Sequence, residues 1–152
     1  MNGYFHKETA KPCSERVVVA LSGPNAVEYP MTGAIFKECG CCHTAWTDRS
    51  SFLADPEIVM VGYQVDFRDL TMGLFLFNHR PCKSTLALRA GDFRDLYNGP
   101  VFVERKTGSE SCPGHCLHHD NLKPCPAACE CAFVREIIQI VKTWEKQAAA
   151  RT

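Results

Sequence analysis

The chain carries no surplus of charge of either sign. Seventeen Lys and Arg balance seventeen Asp and Glu, so no net field draws it to nucleic acid or to an anionic membrane. Long apolar runs are missing as well. The longest, at 17–21, 58–61 and 74–77, fall far short of the roughly 20 residues that a membrane helix needs. No apolar signal-like segment opens the sequence and no Asn-x-Ser/Thr sequon occurs in it, which leads to the expectation of a cytoplasmic protein with reduced thiols. Neither a Gly-rich phosphate loop nor HExxH is present. The zinc-deaminase pattern also fails, because the gap from Cys125 to Cys129 is one residue too long. No convergent set of acid, base and nucleophile remains, and the expected function is non-enzymatic.

Cysteine, in contrast, is abundant: ten among 152 residues. Such density is explained by disulfides in an oxidising compartment or by metal thiolates in a reducing one, and the expected compartment favours metal. The first candidate site combines Cys39 and Cys42 with His79 and Cys82. Both pairs have a two-residue gap, and three thiolates with one imidazole suit a tetrahedral zinc ion. These segments resemble the knuckle pair of zinc ribbons and rubredoxin-like proteins, which implies a structural metal held between strand ends. The resemblance covers the two ligand segments alone, which the thirty-six residues at 43–78 separate. Cys39 to His43 also matches the CxxCH attachment motif for haem c, a chemistry of exported proteins. Cys41 is surplus to four ligands and reads as a spare exposed thiol, while Cys13 stands alone as a packed or free one.

The second candidate is denser. Cys112, Cys116, Cys125, Cys129 and Cys131, with His115, His118 and His119, fall within twenty residues. Cys129 and Cys131 open a helical segment whose N-terminus favours thiolate. Zinc is the first expectation here, an iron–sulfur cluster the second and disulfides the third.

Around these sites the pattern predicts an α+β fold: a small antiparallel sheet with zinc-ribbon or rubredoxin-like knuckles, a cysteine-rich module and a C-terminal amphipathic helix. Residues 1–16 read as a flexible arm, 17–106 as the zinc-pinned β-rich domain, and 107–152 as the cysteine-rich metal-binding module with the helix. Strands are expected at 16–21, 26–29, 33–37, 58–67, 72–78, 84–89 and 101–105, with a capped helical turn at 48–53 and a short helix at 92–97. Gly40 is expected to supply the positive φ of the first knuckle. Residues 132–150 read as one helix with Phe133, Ile137, Ile140, Val141 and Trp144 on its apolar face and Arg135, Glu136, Gln139, Lys142 and Lys146 largely opposite. The function expected from this is a zinc-binding adaptor or regulatory module with a protein partner. The alternative is a redox protein with an iron–sulfur cluster on the C-terminal cysteines.

Overall fold

A computed structural model of the chain describes residues 33–148. The arm, the strands expected at 16–21 and 26–29, and Cys13 lie outside those residues. Two small antiparallel sheets and two α-helices make up an α+β arrangement. The first sheet is a ribbon of β1 (Lys37–Glu38) and β2 (Ala45–Trp46), with Lys37 opposite Trp46. It is shorter than expected and begins later, because the chain turns back at once: Cys39 N donates to Thr44 O at 2.8 Å. Helix α1 (Arg49–Ala54) follows, and Asp48 caps it by accepting from Ser51 N at 2.8 Å.

The second sheet has the order β3 (Ile58–Gln64), β4 (Leu74–His79), β5 (Ser84–Arg89). Its core face follows from the two-residue period of β4, where Phe75, Phe77 and His79 are buried and the residues between them are not. Phe77 meets Phe52 of α1 edge-on at 5.1 Å, and Phe52 meets Trp46 of β2 in the same way at 5.1 Å. An aromatic stack thus ties the ribbon, the helix and the sheet into one core. His79 stands at the end of the row that the phenylalanines begin, directly opposite Ser84 of β5.

The register of β3 against β4 slips between Met60 and Gly62. Past that irregularity Tyr63 N donates to His119 O at 2.7 Å, so the cysteine-rich segment lies against the free edge of β3. Helix α2 (Ala132–Lys142) buries Val134, Ile137, Ile138 and Val141 in the same core.

Several expectations are corrected. Residues 101–105 form no strand: β-prone composition makes one only through ladder pairing, and this run pairs with none of the described strands; Val103 is 94% exposed. Where a helix was expected at 92–97, a 3-10 helix runs Ala90–Leu96. Helix α2 stops well before 150, because Lys146 leaves the helical path to donate to the carbonyls of Leu53, Asp55 and Ile58 at 2.6, 3.1 and 2.9 Å. Arg135 does not face water. It is fully buried, with carbonyl oxygens of Lys123 and Asn121 in place of solvent. Among the described residues no helix is long and apolar enough to cross a membrane.

Gly62 lies where the sheet meets the cysteine-rich segment. A Cβ there would lie 2.9 Å from His119 O and 3.2 Å from a Leu76 methyl. Gly62→Ala is therefore expected to destabilise the fold by about 1–3 kcal/mol through overpacking. Urea unfolding should show a lower midpoint with an unchanged slope; an unaltered midpoint would contradict the packing described.

Candidate metal centre

Two tight turns carry the four donors. In the first, between β1 and β2, His43 N donates to Cys39 O at 2.9 Å, which folds the turn over and brings the Cys39 and Cys42 side chains to one side. In the second, between β4 and β5, His79 ends one strand and Cys82 sits in the connecting turn. The turns share a backbone feature. The residue immediately after each second ligand, His43 at φ 60° and Lys83 at φ 56°, adopts the left-handed conformation. Gly40 does not, contrary to expectation, because the reversal comes after Cys42, where the chain must swing back for Thr44 O to reach Cys39 N.

Cys39, Cys42, His79 and Cys82 each offer one ligand atom, and all four atoms lie within 4.8 Å of one another. Cys39 Sγ is 3.6 Å from Cys82 Sγ, and His79 Nδ1 is 3.3 Å from Cys82 Sγ and 3.5 Å from Cys42 Sγ. A tetrahedral ion bound at about 2.3 Å to sulfur and about 2.0 Å to nitrogen sets S···S near ~3.8 Å and S···N near ~3.5 Å. The spacings fit. These four residues could hold a metal ion, with His79 ligating through Nδ1. Cys39, His79 and Cys82 are 0, 2 and 6% exposed, so the set is closed to solvent except on the side of Cys42.

Charge accumulates here. Burial resists ionisation of Cys39, but hydrogen bonds from the Ser84 hydroxyl, the backbone amides of Cys42 and Cys41, and His79 outweigh it and bring the thiol from 9.0 down to about 5. Cys82 goes the other way. Burial raises it, Ser84 opposes through hydroxyl and amide, and the adjacent Cys39 and Cys42 push it up further. Of the two sulfurs, that of Cys39 is the one that takes the negative charge more readily.

Ser84 supports both sulfurs, with its Oγ 3.2 Å from Cys39 Sγ and 3.0 Å from Cys82 Sγ. Sequence reasoning missed it, and the available signal was its place opposite His79 at the start of β5. Trp46 packs edge-on against the His79 ring at 5.3 Å and fixes its orientation. His43, the residue that completes the haem motif, instead pairs with exposed Glu38 through Nδ1 at 2.9 Å. Cys41 is not the spare exposed thiol expected of it: it is half-buried and disulfide-bonded.

The C-terminal donors are gathered less tightly. Cys112, Cys116, Cys125, Cys129 and Cys131 are all free thiols. Cys116, Cys129 and Cys131 are buried in a small cluster of their own, yet among the described residues only the first site brings three or more ligand atoms within 4.8 Å of one another. The expected preference of Cys131 for thiolate at the start of α2 does not hold. Its hydrogen bond to Cys116 and its burial both keep it protonated, while the same hydrogen bond draws Cys116 down. The histidines stay apart: His115 Nδ1 takes the amide of Asn121 at 2.9 Å, and the residues of His118 and His119 are exposed.

Comparison with protein-family models, with curated proteins and with solved structures finds no match to this chain. The site therefore stands on its own geometry.

Two substitutions test that geometry. Ser84→Ala removes the hydroxyl from both sulfurs and should weaken binding of a divalent metal at least about tenfold in a chelator competition; unchanged affinity would show that the hydroxyl is idle. Lys83→Gly relieves a left-handed residue and should raise stability by about 1 kcal/mol in thermal or urea unfolding, whereas a loss would contradict the turn described.

Proposed function

We propose that the chain is a non-enzymatic zinc-binding protein whose metal braces a scaffold for contact with another protein. The observation that carries this reading is the meeting of three thiols and one imidazole nitrogen at tetrahedral spacings. Zinc suits this donor set because it is borderline-soft and imposes no ligand-field geometry of its own. Four protein donors fill a tetrahedral shell and leave no position for substrate or activated water, which favours a structural role over a catalytic one. Support for a protein-facing role comes from Val101, Phe102 and Val103, a run of exposed apolar side chains outside any strand. They border a shallow depression that also includes Leu70, Arg105 and Phe133.

Zinc bound between the two turns would join the ribbon to the three-stranded sheet and contribute directly to folding. The contact between Trp46 and His79 makes this measurable. In a Trp144→Phe background, where Trp46 is the remaining tryptophan, stripping zinc from the reduced protein with a chelator should change the near-UV circular dichroism and lower the melting temperature. Adding zinc should restore both, and Cys39→Ser should abolish the restoration. A signal and melting temperature indifferent to chelator would overturn the proposal.

A further inference from the structure

Residues 112–131 hold five thiols for which the first metal centre has no use. Three of them, Cys116, Cys129 and Cys131, are 7, 2 and 3% exposed and cluster apart from the main core. Cys129 Sγ and Cys131 Sγ are 3.5 Å apart, close to the ~3.8 Å separation of two sulfurs on one tetrahedral ion. Cys116 shares the buried cluster with Cys129 and Cys131, and Cys125 lies within electrostatic reach of Cys116, Cys129 and Cys131. Backbone amides already point at the sulfurs: Lys106 N donates to Cys129 Sγ at 3.2 Å and Gly114 N to Cys112 Sγ at 3.4 Å.

Buried cysteines can simply pack as small apolar residues. The group beside them argues otherwise. Arg135 is fully buried, yet its guanidinium meets only neutral partners: Nε donates to Lys123 O at 2.9 Å and Nη2 to Asn121 O at 2.5 Å and Asn121 Oδ1 at 3.4 Å. Nη1 is buried without a hydrogen-bond partner. No carboxylate among the described residues forms an ion pair with it. Burying an uncompensated guanidinium is costly, and its charge acts on Cys116. A divalent ion with four thiolates carries a net charge of about −2 by charge count, which is the counter-charge that Arg135 lacks.

We propose that Cys116, Cys125, Cys129 and Cys131 form a second zinc site of four thiolates, with the guanidinium of Arg135 as its buried counter-charge. Closing the set requires the four thiols to draw together, half-buried Cys125 among them, since among the described residues only the first site has three or more ligand atoms within 4.8 Å of one another. Cys112 is a fifth thiol within electrostatic reach of Cys125 and Cys131. The site differs chemically from the first, four sulfurs against three sulfurs and a nitrogen, and it does not depend on the first being occupied.

The test uses the full chain, purified without air and without added reductant, and reads zinc per chain by elemental analysis alongside native mass spectrometry. Two zinc ions are expected in the wild type. Cys125→Ser, the least buried ligand of the four, should hold one, and Cys39→Ser should hold the other one. With cobalt in place of zinc, the difference spectrum between wild type and Cys125→Ser should show ligand-field bands at longer wavelength than those left in the variant, as four sulfurs require. A single zinc in the wild type overturns the proposal whether or not the variants fold. So does a Cys125→Ser protein that keeps two zinc ions, the strong visible absorption of an iron–sulfur cluster, or disulfides among these cysteines. Loss of zinc in Cys39→Ser alone would leave the first site standing and remove the second.

Discussion

Three sulfurs and one nitrogen have to meet at a single point although two separate turns deliver them, and most of the described architecture follows from that requirement. The two-residue period of β4 turns His79 to the same face as Phe75 and Phe77, so the metal donor ends the aromatic row of the core. Trp46 then serves both sides. Its ring packs on His79 and Phe52, and its Nε1 donates to Asp55 Oδ2 at 2.9 Å, binding the ribbon to the turn after α1. A site assembled this way has little freedom of its own, because each ligand is also part of the packing.

The price of the convergence is crowded negative charge. Ser84, the knuckle amides and His79 favour ionisation of Cys39, while burial, and then the neighbouring Cys39 and Cys42, hold Cys82 up. Such a pair resembles a charge trap more than an acid–base device, since a bound cation would offset the charge of both sulfurs at once. The C-terminal nest has the opposite electrostatic problem. There a buried cation, Arg135, lacks an anion, and the thiols beside it are the groups able to supply one.

How far the sequence spoke depended on whether local pattern or tertiary contact decided a feature. Equal two-residue gaps and flanking β-branched and aromatic runs were enough to pair Cys39 and Cys42 with His79 and Cys82, and β5 occupies 84–89 as the pattern predicts. Ser84 carried no motif, because its role arises only when β5 lies beside β4. Gly40 looked like the special residue of the first turn by its type alone, whereas the left-handed positions are His43 and Lys83, set by where the hydrogen bonds force each reversal. Arg135 was misread for a similar reason. Charge predicts exposure unless carbonyls elsewhere in the chain replace water, and those of Asn121 and Lys123 are remote from it in sequence. Residues 101–105 have strand composition but pair with none of the described strands.

The account rests on His79 ligating through Nδ1, the atom that faces both Cys42 and Cys82. Long-range nitrogen–proton NMR of the ring, recorded on reduced protein before and after one equivalent of zinc, observes that atom directly. The account predicts that the Nδ1 resonance of His79 moves to a metal-bound position while Nε2 keeps its proton. A His79 ring whose two nitrogen resonances stay where they were when zinc is added would contradict it.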